Sequence, residues 1–248
     1  MNRCIKIVLI GSLMATSAVA TAADEKKDSP WKTTAELGFI STTGNTETKT
    51  TTGKLDTVYE VEKWRHTGHL EGYGQQSKDT NTDEMVVSAE RYEASGKSDY
   101  KFTERDYAYG LVKLIKDRFS GFEYENTLGL GYGRKVIKDP AMQLDLEIGP
   151  GARFYREDIA DAESKNEATL RLSGNFWWAI TENSKFLQEL LTEIGEEFTA
   201  SKSVTGLQAN INKTLAMKFT YTVRHKTKVP VGTEKTDTEA AMTLVYNF

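Results

Sequence analysis

The feature that most constrains this chain is a polarity that alternates residue by residue, in segment after segment, up to its last residue. The final segment sets Ala240, Met242, Leu244, Tyr246 and Phe248 against Ala241, Thr243, Val245 and Asn247, with Asp237 and Glu239 just upstream. Period two marks a β-strand whose two faces meet different surroundings. An apolar stripe that runs to a terminal aromatic is odd for a strand in water, where chain ends fray. It suits the closing strand of a barrel, which must pair with the first. Beyond the opening residues, no stretch approaches the about 20 apolar residues of a helical span. A chain of this kind that crosses a membrane must do so as a closed barrel, because lipid offers no partners for unpaired backbone groups.

Residues 1–22 have the three parts of a secretory signal. Arg3 and Lys6 form the charged start, residues 7–15 a short apolar stretch, and Ala20-Thr21-Ala22 an A-x-A cleavage site. Ala18-Val19-Ala20 fits cleavage as well. A membrane-anchoring helix is the rival reading, but the apolar stretch is short for a span. The only cysteine, Cys4, lies ahead of that stretch. Cleavage would leave no disulfide, thiol nucleophile or cysteine metal site. The expected organisation is a signal over 1–22, a short periplasmic segment over 23–30 and a barrel over 31–248. The chain carries 32 Lys and Arg against 36 Asp and Glu. That balance argues against a general nucleic-acid binder, which would carry a basic bias.

The barrel signature is a series of alternating segments of roughly ten residues split by turns. Trp31, Thr33, Ala35, Leu37 and Phe39 share one face of the first, and Gly44-Asn45 marks a turn. Leu55, Thr57, Tyr59 and Val61 follow, then a glycine-rich third segment from Trp64 to about Gln75. The fourth covers about 85–95 and the fifth about 103–115, where Tyr107, Tyr109 and Leu111 share a face. In the sixth, Phe122, Tyr124, Leu128, Leu130 and Tyr132 oppose Glu123, Glu125 and glycines 129, 131 and 133. The seventh sets Leu144, Leu146, Ile148, Ala152 and Phe154 against Asp145, Glu147, Arg153 and Tyr155. The eighth sets Ala168, Leu170, Leu172, Phe176 and Trp178 against Glu167, Arg171 and Asn175. Segments over about 185–194, 204–211 and 215–224 precede the terminal one. The expected fold is an all-β, transmembrane, antiparallel up-and-down barrel of about 12 strands, an even number as bacterial barrels have.

Connections after odd segments tend to be longer and more polar, at about 76–84, 157–166, 195–203 and 227–236, while those after even segments are mostly tight. Outer-membrane barrels show this asymmetry, with short periplasmic turns and longer outer loops. Residues 116–121 and 96–102 depart from it. Residues 85–94 also suit a helix, as do Leu187, Leu190, Leu191, Ile194 and Phe198 by their spacing. A secreted β-sandwich or lipocalin-like barrel is the soluble alternative, because alternation alone does not tell inside from outside. The terminal aromatic and the loop asymmetry favour the membrane barrel.

The chain resembles the family of salt-induced outer-membrane proteins, YdiY-like, built on a domain of unknown function. The matching stretches are Gly44-Asn45-Thr46-Glu47-Thr48, Ser95-Gly96-Lys97-Ser98-Asp99-Tyr100, Asp117-Arg118-Phe119 with Gly121, Gly129-Leu130-Gly131-Tyr132-Gly133, and Tyr246-Asn247-Phe248. The resemblance implies an outer-membrane β-barrel and brings no catalytic residues. Its name points to osmotic conditions, a matter of expression rather than mechanism.

The residues themselves offer little enzymatic chemistry. His66 and His69 differ in parity, so on one strand they point to opposite faces. His225 has Thr227 nearby, yet a triad is recognised by geometry and not by spacing. Glycines 129, 131 and 133 lie within a strand, whereas a phosphate loop needs its glycines between strand and helix. On the inward face they make room in a narrow barrel or ease strand curvature. No catalytic, cofactor-binding or metal-binding residues are assigned, and no cofactor is expected.

The inward charges are the candidate site. They are Glu123, Asp145, Glu147, Arg153, Glu167, Arg171 and Arg224, with Glu125, Glu189 and Glu193 on the same parity and Arg134 outward at a rim. They form either a plug of ion pairs or a polar channel whose charge rings bias passing ions. Trp31, Trp64, Trp177 and Tyr246 are expected in the aromatic girdles at the lipid–water boundary. Leu244, Tyr246 and Phe248 resemble the signal by which the barrel-assembly machinery recognises its clients. The expected protein is a monomer among outer-membrane lipids and lipopolysaccharide, structural or a narrow passive pore for small polar solutes. The alternatives are a lipid- or lipopolysaccharide-modifying enzyme, and a surface binder acting through the outer loops.

Overall fold

The structure, a computed structural model, describes residues 29–42, 47–79, 82 and 84–248. The expected signal, most of the segment over 23–30 and the Gly44-Asn45 turn lie outside the described residues. Twelve strands are described: β1 Trp31–Thr42, β2 Thr48–Glu60, β3 Trp64–Lys78, β4 Met85–Lys101, β5 Asp106–Asp117, β6 Phe122–Lys138, β7 Met142–Glu157, β8 Lys165–Thr181, β9 Ser184–Gly195, β10 Thr199–Asn210, β11 Leu215–Lys226 and β12 Thr236–Asn247. Each pairs antiparallel with the next, and β1 pairs with β12, so the sheet closes into an up-and-down barrel. The closing ladder runs only from Thr34↔Asn247 to Leu37↔Leu244, whereas β1 and β2 pair from Trp31↔Tyr59 to Thr42↔Thr48.

The two faces of the sheet are opposite in chemistry. Outward stand Leu37, Leu55, Leu70, Val112, Leu114, Leu128, Leu130, Ile148, Leu170, Leu190, Phe219, Met242 and Leu244, all exposed. Leu37 is 71% exposed and Leu130 67%, values that in water would mark an aggregating surface. Inward stand buried Glu36, Glu71, Arg91, Asp99, Asp145, Glu147, Arg153, Glu167 and Glu193. A barrel that is apolar outside and charged inside is built for lipid, and this excludes the soluble alternative. A cluster of buried aromatic residues, Phe122, Tyr155 and Phe198, caps the lumen near the loops.

Both segments that also suited a helix are strands. In β9, Leu191 lines the lumen while Leu190 and Ile194 face out. Apolar residues on both faces mimic helical spacing there. The strands run longer than the alternation suggested. Residues 96–101 complete β4, leaving a turn over 102–105, and β10 begins at Thr199, leaving only 196–198 as its loop. The asymmetry between the two ends is therefore milder than expected. Long connections remain at 79–84, 158–164 and 227–235, on the end away from the termini.

Two placements differ from the sequence reading, one because the strand parity breaks and one because parity outweighs residue type. The pairing of β6 with β7 shifts between Phe122 and Tyr124. That irregularity turns Phe122 inward, where it is buried, and takes Glu123 out of the lumen to pair with Arg156 at a half-exposed rim. Trp177 shares the inward parity of Arg171, Ser173 and Asn175, and the Lys185 ammonium sits 5.3 Å from its ring. The outward position belongs to Trp178, which is exposed. Trp31 and Trp64 stand outward at the terminal end, packed on Tyr59 and Tyr100 at 4.7 and 5.0 Å, and Tyr246 on Phe248 at 4.7 Å.

Candidate functional site

The lumen is assembled from residues that alternate inward on every strand, and cross-strand register decides which charges meet. Nearest the termini, Arg65 and Asp99 lie opposite each other on β3 and β4, with Arg65 Nε donating to Asp99 Oδ2 at 2.6 Å. Lys97 bridges Asp99 at 3.0 Å and Glu147. Glu147 also accepts from Arg171 Nη1 and Tyr107 Oη, each at 2.9 Å. Arg65 and Lys97 lie 5.0 and 5.1 Å from the Tyr107 ring, and Lys97 and Arg171 5.1 and 5.5 Å from Tyr109. Cations over ring faces gain from the aromatic quadrupole. The glycines of β6 make this layer possible. A Cβ on Gly131 would lie 2.6 Å from Tyr109 Oη, and one on Gly133 would collide with the Tyr107 ring.

A second layer crosses mid-barrel. Glu71 collects Lys54 at 3.2 Å, Arg224 at 3.6 Å, His69 at 3.7 Å, and Arg91. Glu239 on the far side of the closing seam binds Arg91 at 3.3 Å and Arg224 at 3.0 Å. Lys218 donates to Glu36 at 2.8 Å, Lys113 to Glu193 at 2.9 Å, and Lys202 lies 3.8 Å from Glu93. Nearest the loops, Arg153 donates to Glu167 at 2.7 Å and to the carbonyls of Phe198 and Glu193, each at 3.0 Å. Its guanidinium lies 4.1 Å from the Phe198 ring. Lys226 binds Glu125 above Phe122.

Two chambers with room for several waters lie between these layers. The lower, about 310 Å³, touches Lys54, Asp56, His69, Lys97, Arg171, Glu189 and Lys218. The upper, about 100 Å³, touches Arg91, Glu125, Arg153, Arg224 and Lys226, with Val229, Glu234 and Lys235 of the last loop over it. Glu93, Lys113, Leu191 and Lys202 border both chambers and form the constriction between them. The loop over the upper chamber rests on Gly121, whose φ of +76° favours glycine and whose Cβ would lie 2.6 Å from Thr233 Oγ1. Outside the strands, a 2.8 Å bond from Lys228 holds the Glu197 carboxyl below its usual range.

Of the sequence-derived lumen charges, Asp145, Glu147, Arg153, Glu167, Arg171 and Arg224 share this interior, and Glu123 does not. The pairings of Arg65, Glu71, Arg91, Glu93, Lys97, Asp99, Lys113 and Lys202 were missed. Arg91, Glu93, Lys97, Asp99 and Lys101 form a period-two charged run that a parity reading of residues 91–101 would have caught. The histidines do face opposite ways. His69 Nδ1 lies 2.7 Å from Asp56 inside, and His66 Nδ1 2.9 Å from Ser98 Oγ outside. His225 Nδ1 sits 2.8 Å from Thr236 Oγ1 and not against Thr227.

Fold and lumen together define a membrane-spanning β-barrel with a charge-paired interior. The chain belongs to the family described as a protein of unknown function, DUF481, whose model matches residues 35–248. It is 27% identical over 250 residues to the uncharacterized protein YdiY of Escherichia coli (strain K12), covering 97% of this chain and 96% of that protein. Among solved structures it is similar to the COG4313 outer-membrane channel from Pseudomonas putida F1, with TM-score 0.51 and 10% identity over 88% of this chain and 95% of that one. It also aligns with the translocator domain of the autotransporter NalP from Neisseria meningitidis, with TM-score 0.49 and 12% identity over 87% and 86%. The likeness to an outer-membrane channel is one of fold, and with the lipid-facing belt it supports an outer-membrane location.

Proposed function

We propose that this chain is a narrow passive pore of the outer membrane for small ions, working without turnover or cofactor. The observation that carries the reading is a pair of adjacent chambers, sharing Glu93, Lys113, Leu191 and Lys202 as lining, inside an otherwise charge-filled lumen. The termini would face the periplasm and the long loops the exterior. The barrel would act as a monomer among lipids and lipopolysaccharide, inserted by the assembly machinery through Leu244, Tyr246 and Phe248. The osmotic link suggested by the resemblance fits a lumen held by ion pairs, since salt weakens those within reach of water. Planar-bilayer recording of the refolded full chain tests the pore: current steps are expected, and silence in every salt would refute it.

One observation favours a second reading, a lipid-modifying enzyme. Ser98 and His66 meet on the outward face beside a groove of about 1050 Å³ lined by Gly68, Gly96, Gly110, Leu128 and Leu130. A nucleophile next to a base is the minimum for acyl transfer. The His66 ring, however, stacks on Trp64 at 5.7 Å, and no carboxylate orients it among the described residues. Release of fatty acid from phospholipid vesicles by the refolded protein, abolished in S98A, would favour this reading over the pore.

A further inference from the structure

Counting signs in the lumen gives near balance, because almost every inward cation has a carboxylate partner. Counting what water touches gives a different answer. The side chain of Lys97 is 22% exposed and that of its partner Glu147 is 2%. For Lys202 and Glu93 the values are 25% and 11%, for Lys218 and Glu36 17% and 5%, and for Arg65 and Asp99 16% and 1%. Lys113 and Glu193, Arg224 and Glu239, and Lys226 and Glu125 follow the same order. Arg153 and Glu167 are both sealed away. The cause lies in side-chain length. Asp and Glu are short and stay against the barrel wall. The long stems of Lys and Arg carry their charges past them toward the axis.

An ion beside these pairs therefore meets ammonium and guanidinium groups first, with their carboxylate partners behind them. Coulomb energy falls with distance, so paired charges do not cancel for a visitor nearer one partner than the other. The effect is greatest at the constriction, where Lys113 and Lys202 border both chambers. Lys202 is the more exposed of the two and its pair with Glu93 is loose at 3.8 Å, so its ammonium is free to turn to a passing anion. Several carboxylates oppose this field. Asp56 is more exposed than its partner His69, Glu189 is exposed in the lower chamber with no ion pair among the described residues, and Asp117, Glu234 and Asp237 border the upper chamber, likewise with no ion pair there.

We infer that the lumen passes small inorganic anions in preference to cations, with Lys202 and Lys113 as the residues that set the preference. The inference rests on the pore reading of this same lumen. The test is the reversal potential of the refolded full chain in a planar bilayer under a KCl gradient. The expected sign is that of chloride. K202Q should lower the chloride-to-potassium permeability ratio about 25-fold, because one unit charge about 4 Å away in a water-like medium favours chloride about fivefold and disfavours potassium about fivefold. K113Q should act in the same direction, and E189Q should raise the ratio. A conducting wild-type channel with the sign of potassium would overturn the inference and leave the pore standing. So would an unchanged ratio in both K202Q and K113Q. Absence of any current would remove the pore and its selectivity together.

Discussion

Replacing Arg153 with alanine tests whether the upper layer of the lumen is a structural joint. Its side chain and that of Glu167 are 2% and 4% exposed, so the pair is effectively dry. Alanine would strand a buried carboxylate and remove donors from the carbonyls of Phe198 and Glu193. Removing one partner of a buried pair costs about 3–5 kcal/mol. The upper chamber beside Arg153 gives water some access to the stranded charge, which favours the low end, about 3 kcal/mol. Glu167 keeps one compensation, the Glu197 N–H at 2.8 Å. At 1.36 kcal/mol per tenfold change, the folded-to-unfolded ratio should fall by about two orders of magnitude. The assay is urea unfolding of the protein in liposomes, followed by tryptophan fluorescence and by the mobility shift of the folded barrel on unheated gels. The double variant R153M/E167M should recover most of the loss, since an apolar pair leaves no charge stranded. A loss below about 1 kcal/mol, the level of an exposed pair, would refute the reasoning, as would a double variant no better than R153A.

Other perturbations separate the remaining ideas. Arg171→Ala opens the lower chamber beside Glu147, so single-channel conductance should rise; a large loss of urea resistance with unchanged conductance would instead mark a plug. Deleting Phe248 removes the ring packed on Tyr246 and the N–H that donates to Thr33 O at 2.9 Å, and should reduce the amount assembled in the outer membrane, measured by membrane fractionation. Glu197 has a lowered carboxyl because Lys228 bonds it. Its tether between the short β9–β10 loop and the last loop should therefore hold at neutral pH and be lost as pH falls through that lowered range. Limited proteolysis of residues 227–235 should accelerate at acid pH in the native chain, and at all pH values in K228A.

The strand count and the facing of most residues were legible because lipid and lumen impose opposite polarities on alternate side chains. Leu128, Leu130 and Tyr132 against glycines 129, 131 and 133 fell where parity put them. Parity fails where a strand slips by one residue. The irregularity at Phe122–Tyr124 carries no mark in the sequence, so Glu123 and Phe122 exchanged faces. For Trp177 residue type points to the girdle and its parity with Arg171 points to the lumen, and parity decides. Partnership was the least legible property. Arg91 and Glu239 are 148 residues apart and meet because the barrel closes, which no local pattern encodes. The match of Tyr107 and Tyr109 to Gly133 and Gly131 likewise follows from register between neighbouring strands.

The short ladder between β1 and β12 has a consequence for how this barrel can evolve. Beyond Leu37 and Leu244 the first and last strands are joined from inside: Glu36 accepts from Thr243 Oγ1 at 3.2 Å and from Lys218 at 2.8 Å, and Gly38 brings the backbones close. One carboxylate thus acts as a rivet across the seam that closes the barrel, while also contributing to the field an ion would feel. Mutations at Glu36 would be filtered by biogenesis before permeation could be selected. Lys113 and Lys202, whose ion pairs lie away from that joint, would let the selectivity of the proposed pore change without passing that filter.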